Sequence, residues 1–315
     1  MNPESMAHLK QFNDQYLPFP TFVMAKLAIE ESLAMYRQTG IARHMLVLGE
    51  AGTGKSTLCK LMETHHPRQR LLDRDKIDVV AVSVPPSANV GGVASAMLRA
   101  LGDFWHERGT VASRTERIVT LCRECGVELI LLDEAQHLQD RGDSRMHYLA
   151  GDWVKSVIDQ VGVPTVMLGL PRLELLLQIN EQLRRRFSRR VRLAFGQNDE
   201  ISVETECLQL FLSLSSLLTL PVSSTPFGAQ EMGTRLYYAC DGRVAYIKKI
   251  LFSALSTALE RGDDAIDVRH LERAFTTDVW WEGVGQLNPF SSDFAFRRLD
   301  RGGEPFQVFE AGVAK

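Results

Sequence analysis

The chain lacks any apolar run near the ~18 residues needed to span a bilayer, and residues 1–10 show no basic-then-apolar secretion signal. A soluble cytoplasmic protein with no membrane partner is therefore expected. Cysteine is scarce: five residues, an odd number, point to reduced thiols in a chain without a secretion signal. Cys122 and Cys125 form a lone CxxC with no second pair to complete a zinc site, and Cys59, Cys207 and Cys240 are scattered. Glycine (23) and proline (12) stay near ordinary usage, which excludes collagen and low-complexity sequence, and the absence of an internal repeat excludes solenoids. Excess positive charge is missing too. A net charge of −3 argues against a protein that coats nucleic acid by bulk charge.

What is present is ordinary in amount and uneven in placement. A hydrophobic fraction of 45% and a charged fraction of 24% are globular values. The 315 residues exceed one core of ~100–200, so a main domain with a smaller attachment is expected. Arg184, Arg185, Arg186, Arg189, Arg190 and Arg192 place six positive charges in nine residues with no acid among them; subtracting those six from −3 leaves −9 on the remainder.

Short apolar runs at Met45–Leu48, Val79–Val84, Leu129–Leu132, Val163–Leu168 and, more weakly, Val191–Phe195 alternate with helical spacing, as at Val93–Leu101 and Ser113–Cys122. Strands buried on two faces require helices on both sides, so these runs predict a parallel sheet in an α/β core. After residue 200 only helical patterns remain: Glu204–Leu220, Gly228–Ala239, Arg243–Arg261 and Val268–Phe275, the last opened by Asp267 as N-cap. The last 36 residues hold seven of the 25 aromatics: Trp280, Trp281, Phe290, Phe294, Phe296, Phe306 and Phe309. Such a tail either folds back on the helices before it or docks on a partner protein. The expected organisation is an N-terminal extension and helix over 1–40, a core over 41–197, a helical lid over 198–278 and a partner-docking tail over 279–315.

Gly49, Glu50, Ala51, Gly52, Thr53, Gly54, Lys55, Ser56 and Thr57 follow the first apolar run and precede a helix-compatible stretch. This is GxxxxGK[ST] in the strand-to-helix context that the pattern needs. Glycines let the backbone curl its N–H groups around a phosphate chain. Lys55 then reaches the β and γ phosphates, Ser56 ligates magnesium, and the helix N-terminus adds partial positive charge. The buried run Leu129–Leu132 ends in Asp133 and Glu134. Asp133 would sit beside the magnesium through water, and Glu134 would polarise the water that attacks the γ phosphate. Together the two motifs imply ATP hydrolysis with ATP and Mg2+ as cofactors.

The basic segment Asn180–Phe187 resembles the part of AAA+ ATPases that inserts an arginine finger into a neighbour's nucleotide; Arg186 is favoured and Arg185 is next, against a plain solvated basic face. Asp241-Gly242-Arg243 resembles the sensor-2 region of AAA+ lids, which makes Arg243 the candidate that reaches back to the γ phosphate. The sequence departs from AAA+ habit at sensor 1, where Thr165–Pro171 ends without a polar side chain.

Gly49–Ser56, the Asp133-Glu134-Ala135-Gln136-His137-Leu138 wording, Gly169-Leu170-Pro171, Asn180–Phe187, Asp241–Tyr246 and Asn288-Pro289-Phe290 resemble, in order and spacing, the TniB/TnsC family of AAA+ transposition regulators. That resemblance implies a P-loop AAA+ core with a five-stranded parallel sheet between helices, then a small all-helical lid. It also implies an ATP-dependent homo-oligomer, ring or helical filament, on double-stranded DNA, bridging a TniQ-type target-selection protein and a DDE transposase. Arg108, Arg114, Thr115 and Arg117 are candidate phosphate contacts by position, with a solvated helix face as the alternative. Within the same fold the competing readings are a replication-initiator or helicase-loader ATPase and a secretion-type ATPase. A continuous motor is disfavoured because no separate substrate-processing domain is visible. His65, His66 and His137 are read as structural or solvated, and Tyr16–Pro20 as a segment covering either the adenine base or a neighbouring subunit.

Overall fold

The computed structural model describes residues 3–15, 19–72, 74–86, 89–139, 144–197 and 201–307, with the side chains of 144–146 excepted. Residues 16–18 and Phe309, both singled out above, lie outside that set. In chain order the elements are α1 (Pro3–Asp14), α2 (Pro20–Thr39), β1 (Met45–Leu48), α3 (Lys55–His65), β2 (Gln69–Arg70), β3 (Asp75–Lys76), β4 (Val79–Ser83), α4 (Val90–Leu101) and α5 (Val111–Glu124). They continue with β5 (Leu129–Asp133), α6 (Ser144–Val161), β6 (Thr165–Gly169), α7 (Glu174–Ile179), α8 (Glu181–Arg186), β7 (Arg189–Arg192), α9 (Val203–Ser215), α10 (Ala229–Cys240), α11 (Val244–Arg261) and α12 (Val268–Ala274). The chain divides into two compact units, Pro20–Leu193 and a second made of Met1–Phe19 with Ala194–Lys315.

The first unit is an α/β layer structure. Five strands pair in parallel in the order β4-β5-β6-β1-β7, and β2 and β3 form a separate two-stranded antiparallel hairpin. Every residue of β1, β5 and β6 is buried, because Val, Leu, Ile and Met on both faces meet helices on both sides. At the β7 edge the pattern alternates between half-buried and exposed. The apolar pattern predicts this strand at Val191–Phe195; it forms instead over Arg189–Arg192, an edge where arginines stay solvated and discourage further pairing. Helix ends follow local chemistry. Asn89 caps α4 by accepting from the Gly92 N–H at 2.9 Å, and α4 stops at Gly102, whose φ of 92° suits glycine.

The second unit is helical. In α11, Ile247, Ile250, Leu251, Ala254, Leu255 and Ala258 are buried. Asp267 caps α12 as expected, its carboxylate accepting from the Arg269 and His270 N–H groups at 3.0 and 3.1 Å. The N-terminal forty residues do not act as one extension. α2 belongs to the α/β unit, whereas α1 packs on α11, where Phe12 is 1% exposed and Lys248 Nζ donates to the Asn13 carbonyl at 2.7 Å. The aromatic tail folds onto this same unit through residue 307. Phe290, Phe294, Leu299 and Phe306 are buried, and Trp281 is exposed. Two buried polar residues pin it. Arg235 donates to the Pro289 and Ser291 carbonyls, both at 2.7 Å, beneath the Phe227 ring, and Asn288 donates to the Glu272 and Gly283 carbonyls at 2.8 and 2.9 Å. Three of the six described tail aromatics, Phe290, Phe294 and Phe306, are thus buried on the chain's own helical unit, while Trp281 and Phe296 stay exposed.

Candidate nucleotide-binding site

The loop between β1 and α3 and the first turn of α3 hold all nine residues of the glycine-rich motif. Gly54 stands at the head of α3 with φ 92°, a conformation that L side chains rarely adopt, and a Cβ there would come within 3.2 Å of the buried Phe22 ring on α2. Lys55 is 5% exposed and its ammonium donates to the Gly49 and Glu50 carbonyls at 2.8 and 2.9 Å. The lysine thus lies curled under its own loop. Burial lowers its pKa, and the nearby Glu134, Asp133 and Glu50 carboxylates act the other way.

Parallel register carries the second motif to the first. β5 ends in Asp133, and the Ser56 hydroxyl at the start of α3 donates to Asp133 Oδ2 at 2.5 Å. A serine hydroxyl and a buried carboxylate side by side are hard oxygen donors of the kind that magnesium takes, with water completing its shell. Asp133 Oδ1 accepts from the Glu134 N–H at 2.9 Å. Glu134 itself has φ 55°, left-handed geometry in which few non-glycine residues are found, and its side chain is 38% exposed. This turn swings the carboxylate off the strand axis.

One residue of the Asp133–Leu138 wording that was given no role of its own joins these groups. Gln136 is 2% exposed; its amide donates to Glu134 Oε2 and its carbonyl accepts from the Leu170 N–H at 3.1 Å. The end of β6 also meets the phosphate loop, since the Gly49 N–H donates to the Gly169 carbonyl at 3.0 Å. An amide two positions after the acid pair was the available signal, and only this fold reveals its partner 34 residues on. His137 Nε2 lies 3.8 Å from the same Glu134 oxygen.

The remaining candidates lie elsewhere. Arg186 is bound bidentately to Asp159 at 2.9 and 2.8 Å, while Arg185 is 78% exposed and, among the described residues, its ion pair is with its helix neighbour Glu181, at 2.6 Å. Arg189 pairs with Glu31, and Arg190 and Arg192 with Glu174. Five of the six clustered arginines therefore have acid partners drawn from Glu31, Asp159, Glu174 and Glu181. Arg243 stands at the N-cap position of α11 in the helical unit without a side-chain capping bond; its guanidinium lies 3.8 Å from Asp241 and 5.6 Å from the Phe306 ring centre, and the tail's Arg298 holds Asp241 at 2.6 and 2.9 Å.

Of the four positions read as phosphate contacts, Arg114 and Arg117 bracket the segment 102–110, in which Arg108 itself lies. Arg114 donates to the Gly91 and Glu107 carbonyls and to the Ser95 hydroxyl, and Arg117 to the Trp105 and Arg108 carbonyls. Thr115 is buried and accepts from the Trp153 indole at 3.0 Å. Arg108 is exposed with its guanidinium 3.7 Å from the Trp105 ring centre. A solvated or phosphate-facing row is thus not what α5 presents at Arg114 and Thr115.

A five-stranded parallel sheet flanked by helices, a glycine-rich loop leading from β1 into α3, an acid pair at the end of β5, one strand removed from β1 across β6, and a helical region later in the chain define an AAA+ protein. The family model described as "Bacterial TniB protein" matches residues 10–195, and the chain belongs to this transposition-associated TniB family. No curated protein sequence matches it. Among solved structures it is similar to Cdc6p from Pyrobaculum aerophilum (TM-score 0.60, 14% identity, 84% of this chain and 69% of that one). It is also similar to the ORC2 protein of Aeropyrum pernix in its ADPNP-ADP complexes (TM-score 0.61, 14% identity, 85% and 71%) and to the ORC1 protein of the same organism in complex with DNA (TM-score 0.61, 16% identity, 84% and 68%). At these identities the likeness is one of fold.

Proposed function

We propose that this chain hydrolyses ATP with magnesium and uses the nucleotide as an assembly switch, forming rings or filaments on double-stranded DNA that connect a TniQ-type target selector to a DDE transposase. The observation that carries the reading is the junction of Ser56, Asp133 and Lys55 under a loop whose glycines let its N–H groups face phosphate. Family membership supplies the transposition context. Ser56 and Asp133 would hold the magnesium, which neutralises phosphate charge when bound. Residues Gly49 to Thr57 cradle the phosphates, Lys55 leaves its loop carbonyls for phosphate oxygens, and Glu134 accepts the proton of the attacking water. Arg185 or Arg186 completes a neighbour's site in trans, and Arg243 senses the nucleotide from the lid.

Electron microscopy and ATPase assays on the full chain, with ATP or a slowly hydrolysed analogue and with or without duplex DNA, test this. Nucleotide-dependent oligomers on DNA are expected, persisting in Glu134→Gln and missing in Lys55→Ala. A monomer indifferent to both ligands would refute it.

A further inference from the structure

AAA+ cores ordinarily bring a polar side chain to the reacting phosphate from the end of the strand beside the acid pair. Here that strand, β6, ends at Gly169 and is followed by Leu170 and Pro171, and none of the three offers one. We infer that Gln136 substitutes for it as a positioning residue, fixing the Glu134 carboxylate to the end of β6 and thereby to the phosphate loop.

Four observations support the assignment. The Gln136 carboxamide is almost wholly buried and both of its ends are used, one on Glu134 and one on the Leu170 N–H. An amide is the side chain that can donate to a carboxylate while accepting from a backbone N–H. Gly169 makes room for it, because a Cβ at that position would stand 2.7 Å from Gln136 Oε1. The same Gly169 accepts from Gly49, so the route from phosphate loop to carboxylate runs through one backbone–backbone hydrogen bond, the Leu170 N–H and one buried amide. Finally, Glu134 has a left-handed backbone and a side chain 38% exposed, so burial alone does not fix its carboxylate.

The inference rests on Glu134 being the base for ATP hydrolysis, so the test separates the two. Steady-state hydrolysis and binding of a fluorescent ATP analogue would be measured on the full chain with saturating duplex DNA, for wild type, Glu134→Gln, Gln136→Ala and Gln136→Glu. Gln136→Ala should lower kcat by roughly 10- to 100-fold, part of the ~10²–10⁴ that a positioned general base supplies, with KM and analogue affinity changed less than about threefold. Gln136→Glu keeps an acceptor for Leu170, so it remains informative should the alanine variant fail to fold. It puts an acceptor where the donor to Glu134 Oε2 stood, so it removes the bond under test. Its kcat should fall at least as far as that of Gln136→Ala, again with KM and analogue affinity changed less than about threefold. A kcat within about twofold of wild type in either variant overturns the inference. Wild-type turnover in Glu134→Gln would instead remove the reading beneath it.

Discussion

His44 shows how a single side chain sets a pH limit on the α/β unit. Its Nδ1 accepts from the Thr165 N–H at 3.1 Å, so protonation breaks a bond at the start of β6. Burial, with Arg186 adding repulsion and Asp159 partly offsetting it, pushes the imidazole down from 6.5 to about 4. The folded state therefore binds this proton less well than the unfolded chain does. Its contribution is fully present above about pH 6.5 and is lost as pH falls toward about 4, with an upper bound of roughly 3 kcal/mol. Chemical denaturation at about pH 7.5 and about pH 5 should show a smaller acid loss in His44→Gln, whose amide oxygen can accept the same N–H without titrating; equal losses would exclude the mechanism. At this scale the legibility of the sequence was selective. Lys55, Ser56, Asp133 and Glu134 could be read because contiguous motifs encode them. Gln136 could not, because its meaning depends on Gly169 and Leu170 standing beside it, which only the parallel pairing of β5 with β6 brings about.

Among elements, α8 and β7 changed most between expectation and structure. As a string, Arg184–Arg192 is a block of unopposed positive charge; folded, most of that charge is answered by acids on α2, α6, α7 and α8. Charge balance across elements is invisible to a linear count, since Glu31 and Arg189 are 158 residues apart. The strand runs of Leu, Val and Met could be read almost to the residue because burial on both faces leaves no other use for them. The arginine preference shifts in consequence. Arg186 is tied to Asp159 in its own unit, whereas the ion pair of Arg185 among the described residues is an exposed helix-surface one, of a kind worth ~0.3–0.5 kcal/mol. Arg185→Ala should leave the melting temperature nearly unchanged yet remove much of the ~10³–10⁵ rate that an arginine supplied in trans provides. Arg186→Ala should lower stability by about 1 kcal/mol or less and raise the protonation midpoint of His44. NMR titration of the histidines together with ATPase assays at saturating protein distinguish the two. Full activity in Arg185→Ala would return the role to Arg186.

For the molecule as a whole, the net charge of −3 and the internal pairing of the arginines leave little bulk attraction for DNA. Affinity in the proposed assembly must then come from a few cations repeated once per subunit, and it should appear only with nucleotide. The bracket around residues 102–110 says which. Arg114 and Arg117 spend their donors on carbonyls that shape this segment, so replacing them should loosen it. Arg108 instead rides on the Trp105 ring, beside the exposed Phe104, with no carbonyl or carboxylate fixing its guanidinium among the described residues. A stacked, solvent-facing guanidinium can meet a phosphate without giving up a partner. DNA affinity would be measured from about 50 to 200 mM salt with a slowly hydrolysed ATP analogue, alongside melting curves. Arg108→Ala should reduce the slope of log K against log salt by about one per contacting subunit, with melting unchanged. Arg114→Ala should lower the melting temperature and weaken binding at every salt concentration without altering the slope. The reverse pattern would make Arg114 the phosphate contact and Arg108 a stacking partner only.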